Sequence, residues 1–200
     1  MGTNTKLQES NDDEVVTIHG VSWEDLEHRL TRKGDAPLPR IAYLDGELEL
    51  VSPSIEHERA KSNIGSLIEM YAVEREIEIS SAGSWLLKNA RRKAGAEPDE
   101  CYIVGPYEDR KRPDFAIEVV KTSGGIDKLE IYRRLDVTEV WFWIRGAIEV
   151  HVLRDGAWVR AARSTFLPGL DLELLCACLD RPSTTAAIRA FRDALRAATR

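Results

Sequence analysis

The stretch Glu97–Leu135, EPDECYIVGPYEDRKRPDFAIEVVKTSGGIDKLEIYRRL, decides how this 200-residue chain is read. It holds two Pro-Asp pairs, Asp99 and Asp114, and one acidic residue, Glu118, inside the apolar run AIEVV. A glutamate between Ile117 and Val119 on a strand is half-buried, which costs free energy unless a cation or donor satisfies it. A divalent metal would do so, because hard cations take carboxylate and carbonyl oxygens. Side chains alternate along a strand, so Asp114 and Glu118 share a face but lie about 13 Å apart at ~3.3 Å per residue. That is too far for one ion. Asp99 precedes a separate strand, ECYIV, which can lie beside RPDFAIEVV and bring its carboxylate opposite Glu118.

Working outward, Ser22 and Asp25 form a capping box for a helix through VSWEDLEHRL. IAYLDGELELVSP reads as two strands turned at Asp45-Gly46. Ser54 opens a long helix, SIEHERAKSNIGSLIEMYAVERE, with apolar residues at helical spacing. IEISSA and SWLLKN are strand-like, while ARRKAGAEPD and GPYEDRKR read as loops. TSGG breaks the chain before a helix over Ile126–Leu135. VTEVWFWI, IEVHVLR and AWVRAAR are further strands, and a helix runs from Ser183. Trp141 and Trp143 share a strand face, as sheet packing requires. The pattern predicts an α/β domain with a mixed central sheet and helices at both ends, over residues 15–200, after a polar, disordered tail at 1–14.

Composition sets the boundaries. Hydrophobic residues make up 43% and charged residues 31%, as in an ordinary folded domain. No stretch approaches the roughly 20 apolar residues of a membrane span, and the polar N-terminus is not a signal peptide. The three cysteines, Cys101, Cys176 and Cys178, are an odd number without metal-ligand spacing, which argues for a reducing, cytoplasmic setting. A net charge of −6 argues against wholesale coating of nucleic acid. Its distribution is uneven, however: residues 1–60 carry 13 acidic and 6 basic residues. The loop of Lys88, Arg91, Arg92 and Lys93 and the loop of Arg110, Lys111 and Arg112 bracket Asp99 and precede Glu118. They are the candidate phosphate-binding rim.

Asp99 followed by Glu118 resembles the PD-(D/E)xK nuclease motif, in which two acidic residues on adjacent strands bind magnesium. More narrowly, YLDGELELVSPSIEHE, EPDECYIV, RPDFAIEVV and DKLEIYRRLDVTEVWFW resemble the Uma-type restriction endonuclease family from about residue 22 to about residue 155. The resemblance implies a restriction-endonuclease-like fold with an N-terminal hairpin and a C-terminal helix. It also implies DNA as substrate, Mg2+ (or Mn2+) held by Asp99, Glu118 and the Val119 carbonyl, and a homodimer that cuts both strands. VTEVWFWI and IEVHVL are the candidate dimer surface.

The motif's lysine position is Val120. Lys121 is adjacent but faces away from Glu118. Lys128, returned to the end of the strand by the short TSGG link and matching a lysine of the Uma-type helix, takes that role. Glu47, Glu56 and Glu58 compete for a further acidic place on the early elements, with Glu58 as the candidate. His57 matches the family's histidine, its role open between ligation, proton transfer and capping. A non-catalytic DNA-binding or interaction protein is the rival, favoured by Val120. Arg112 is an alternative partner for Glu118.

Overall fold

The two residues of the Asp45-Gly46 turn both take positive φ, 47° and 97°, as a tight hairpin demands. They join β2 (Arg40–Leu44) to β3 (Glu47–Ser52), antiparallel from Leu44 opposite Glu47 to Arg40 opposite Val51. This computed structural model describes residues 12–121 and 125–198. The N-terminal residues read as a disordered tail lie outside the described residues up to 11. β1 (Glu14–Ile18) begins at the last residue of the stretch read as a tail and pairs with Leu48–Ser52 of β3, because its Val-Val-Thr-Ile run suits an extended edge.

Ser22 caps α1 (Trp23–Lys33) through the expected reciprocal bonds with Asp25. Ser54 caps α2 (Ile55–Glu74), accepting from the His57 N–H at 3.3 Å. Short strands β4 (Ile79–Ser81), β5 (Leu87–Asn89) and β6 (Ala94–Ala96) lead to β7 (Glu100–Val104) and β8 (Phe115–Val120). Then follow α3 (Lys128–Arg134), β9 (Glu139–Ile144), β10 (Ala147–Arg154), β11 (Ala157–Ala161), α4 (Leu172–Leu179) and α5 (Thr184–Ala197).

The mixed central sheet expected from sequence is present, and a second sheet accompanies it. One, β1-β3-β2-β6-β5, is antiparallel throughout; the other, β11-β10-β9-β8-β7-β4, has one parallel pair, β8 with β9. A parallel neighbour needs a crossover, and α3 supplies it. The segment ARRKAGAEPD, read as a loop, contains β6. Its Ala-Gly-Ala has no large side chain to show a period, yet Ala94 and Ala96 are fully buried between β2 and β5.

The six-stranded sheet is covered on both faces. Phe115, Ile117 and Val119 of β8 join Trp141, Val150 and the inner faces of α2, α4 and α5 in one core. Ala116 of β8 faces the other way, into a core made with Ala42, Ala94, Ala96, Ile131 and Tyr132 from the second sheet and α3. Helix α1 packs Leu26 on the far side of that second sheet, against Ile41, Tyr43 and Leu48. Trp141 stacks on Phe115 at 5.0 Å and Trp143 packs against the same core, so sheet packing accounts for both. The β9/β10 pair proposed as a dimer surface is interior to its sheet, flanked by β8 and β11, with Val140, Trp141 and Val150 buried. Its buried side chains are part of the core.

Candidate active site

The cleft lies between the two sheets, where the alternation of β8 turns Glu118 away from the Phe115–Ile117–Val119 core. In the β7/β8 ladder Glu100 stands opposite Ile117, so the next step sets Asp99 beside Glu118. Both carboxylates are nearly inaccessible, at 4% and 5% exposure, and both line a cavity of about 500 Å³. The sequence-derived pairing of Asp99 with Glu118 therefore matches the geometry. Asp114 stays outside: it accepts from the Val104 N–H at 2.7 Å and lies 3.5 Å from Arg110.

The two carboxylates are satisfied differently. Asp99 Oδ2 accepts from the Val119 N–H at 2.6 Å and lies 3.0 Å from His57 Nε2, while Oδ1 is ion-paired with Arg40. Burial works against its charge, but the His57 bond and charge, the Arg40 guanidinium and the Val119 N–H hold it below the usual carboxylate range. Glu118 meets Lys128 Nζ at 3.3 Å and accepts from the Tyr132 hydroxyl. Burial, reinforced by the charge of Asp99, raises its pKa despite Lys128 and Tyr132. Burial alone would push the Lys128 ammonium down; the charges of Glu118, Asp99 and Glu49 outweigh it and raise its pKa. Lys128 occupies the place assigned to it, and Arg112 makes no pair with Glu118. Lys121 turns away, as alternation requires, to pair with Glu56 at 2.7 Å.

His57 is 3% exposed, in the first turn of α2. Its Nδ1 lies 2.7 Å from Asp13 Oδ2 and its Nε2 faces Asp99. Burial opposes protonation, but Asp99 and Asp13 together hold its pKa above the ordinary histidine value. Glu58 reaches the site indirectly, through an ion pair with Arg40. Glu47 sits beside the hairpin turn; its neighbour Glu49 is the β3 carboxylate that lines the cleft, 6% exposed and 3.3 Å from the Ile126 N–H.

Four participants escaped the sequence reading: Asp13, Arg40, Glu49 and Tyr132. Glu49 carries the signal that exposed Glu118, a carboxylate flanked by apolar residues on a strand. Tyr132 lies one turn from Lys128 on the same helix face, where it was taken for core. Arg40 stands one residue ahead of the IAYL strand as read from sequence, and Asp13 falls in the stretch read as a tail.

None of the basic-loop residues lines the cleft. Lys93 and Glu97 stand at opposite ends of β6, about 13 Å apart at ~3.3 Å per residue. Arg112 is six residues from Glu118, at the far end of β8. Arg91, Arg92 and Lys93 instead border a separate recess with Arg133 and Arg134, while Lys88, Lys111 and Arg112 border another. Lys88 pairs with Glu27 at 2.7 Å and Arg92 with Asp136 at 2.6 Å.

As donors to a metal at the centre of the cleft, the adjacent Asp99 and Glu118 carboxylates and the Val119 carbonyl are the candidate set, with Glu49 on the facing strand. Among the described residues no three His, Cys, Asp or Glu side chains gather round one point. Two carboxylates suit magnesium, which keeps several waters and binds through one or two carboxylates plus phosphate oxygens. A cation held by Asp99 and Glu118 would compete with Arg40 and Lys128, which pair with them in this structure.

The fold is shared with known proteins. The Uma2 family model, described as "Putative restriction endonuclease", matches residues 23–180. A solved structure of "a putative nuclease belonging to DUF820" from Anabaena variabilis superposes with a TM-score of 0.52 at 14% identity, covering 76% of this chain and 92% of its own. No curated protein matches the sequence. Among the described residues no helix is long and apolar enough to cross a membrane. Matched over most of its length and built on a restriction-endonuclease-like α/β fold, the chain belongs to the Uma2 restriction endonuclease family.

Proposed function

We propose that the chain is a metal-dependent endonuclease that hydrolyses DNA phosphodiester bonds in the cleft between its sheets. One observation carries the reading: Asp99, just ahead of β7, stands beside Glu118 of β8, both buried, with the Lys128 ammonium 3.3 Å from Glu118 in the same cavity. Asp99, Glu118 and the Val119 carbonyl would hold Mg2+ or Mn2+, which supplies polarisation of the phosphate and acidification of a water. The chain's own residues do the rest. The Val119 N–H, His57 and Arg40 hold Asp99 ionised and oriented. Tyr132 orients Glu118. Lys128, kept as an ammonium by three carboxylates, is the group placed to steady negative charge on a phosphate. The displaced basic loops, with Arg133 and Arg134, would contact the DNA backbone away from the scissile bond. A homodimer would cut both strands.

The rival, a DNA-binding protein with little cleavage, draws support from Arg40: an internal cation already occupies Asp99. Cleavage of plasmid and branched DNA with Mg2+ or Mn2+ separates the two. The nuclease reading expects cutting by the wild type and none by Asp99→Ala. Binding of DNA without cutting, and without metal uptake, by the wild type sinks it.

A further inference from the structure

The family match begins at residue 23, yet one wall of the cleft comes from before it: Asp13, Val15 and Thr17 all line the cavity. Strand β1 holds them there by pairing Glu14 through Ile18 against Ser52 through Leu48. Asp13 has two anchors. Its Oδ1 accepts from the Ser54 N–H at 2.8 Å, and its Oδ2 lies 2.7 Å from His57 Nδ1. The Asp13 and His57 side chains are only 5% and 4% exposed, so water does not compete for the contact. His57 Nε2 then lies 3.0 Å from Asp99 Oδ2. The result is a continuous line, carboxylate, imidazole, carboxylate, from the N-terminal strand to the centre of the cleft.

We propose that Asp13 is a positioning residue of the site: by accepting the Nδ1 proton it fixes the ring plane of His57, and His57, donating its Nε2 proton, thereby fixes Asp99. The physical reason is rotational. Torsion about the Cβ–Cγ bond is soft for an imidazole, and a ring held at one nitrogen only can tilt or flip. A carboxylate at each nitrogen removes that freedom. Partners behind a ligand typically matter by about 10–100-fold in metal affinity or activity. This second step rests on Asp99 being a metal ligand; the first does not.

The test uses the full chain and its Asp13→Asn variant. Asparagine keeps an oxygen for Ser54 but turns an amide N–H toward His57, so the ring must surrender its Nδ1 proton or rotate. Long-range proton–nitrogen spectra of the four histidines report this directly. The expected result is a protonated Nδ1 on His57 in the wild type and its loss in the variant, with Mn2+ affinity by calorimetry falling about 10–100-fold. A control, Val16→Ala, perturbs β1 at an exposed position that does not touch His57. An unchanged His57 signal in Asp13→Asn, or the same change in Val16→Ala, overturns the proposal. So does a wild-type His57 without an Nδ1 proton, whether or not the variant folds. Normal Mn2+ affinity alongside an altered ring overturns the link from His57 to Asp99. If the wild type binds no metal, the nuclease reading fails, and the ring signal alone still decides the role of Asp13.

Discussion

Asp99 and Glu118 are neighbours of equal burial in one cleft, yet their environments push them in opposite directions. Asp99 has a backbone N–H, a histidine and an arginine, and is held low. Glu118 has one ammonium and one hydroxyl, and burial prevails. The number and charge of the donors, rather than depth, sets the ionisation of each. The site is thus asymmetric: one carboxylate is fixed as an anion by a rigid frame, the other remains able to take a proton when its cation leaves.

That asymmetry can be broken most severely at Arg40. Arg40→Met leaves Asp99 charged and short of a partner and frees Glu58, and breaking a buried pair in this way costs about 3–5 kcal/mol. Urea unfolding measures it. Lys128→Met should cost less, about 1–3 kcal/mol for an unsatisfied buried partner, because Glu118 can protonate and keep Tyr132. The same variant should lose about 10²–10³-fold in cleavage, the scale of removing one charge-stabilising donor. Equal destabilisation by the two variants would refute the asymmetry.

The pH dependence of stability sharpens it further. His57, raised in the folded state, stabilises fully below its unfolded value near 6.5, and that stabilisation is lost as pH rises through its folded pKa. Glu118, also raised, has the same sign from the ordinary glutamate value of 4.5 upward. Asp13 and Asp99 have the opposite sign: their stabilisation is present above the ordinary carboxylate value and is lost as pH falls through their folded pKa values. Denaturation across a pH series should therefore show a decline as pH rises from about 6.5, of at most about 1.4 kcal/mol per pH unit for one proton. His57→Gln should flatten it.

The smallest effect belongs to the other Pro-Asp pair. Asp114→Asn retains an oxygen for the Val104 N–H and loses only the partly exposed Arg110 pair, worth less than about 1 kcal/mol. Cleavage should be unchanged. A large loss would mean that Asp114 reaches the chemistry by a route the fold does not provide.

Much of the six-stranded sheet was legible from sequence because its strands advertise themselves. β8 and β9 carry β-branched and aromatic residues, and a lone glutamate among them stands out. The rise of ~3.3 Å per residue was enough to prefer Asp99 to Asp114, and strand alternation put Lys121 on the face opposite Glu118. The second sheet was only half visible. The Asp45-Gly46 hairpin declared itself, but β6 is three small residues, and β1 starts at the last residue of a polar stretch. With those strands unseen, the basic loops seemed adjacent to Asp99, whereas β6 holds one of them a strand's length away. Arg40 and Asp13 were hidden for the same reason. Their roles depend on which strands neighbour one another across the cleft, and local pattern says little about that.

The alternation of β8 has a consequence for how such a protein can change. Its odd residues, Phe115, Ile117 and Val119, belong to the helix-side core, while its even ones, Ala116 and Glu118, look toward the cleft. The site is therefore a question of parity. Inserting one residue ahead of Glu118 would leave the composition almost untouched and exchange the two sides, sending a carboxylate into the aromatic core. Inserting two would restore the side but shift Glu118 about 7 Å along the strand, at ~3.3 Å per residue, past the reach of Asp99. Length variation is thus barred from this strand and confined to the turns around it.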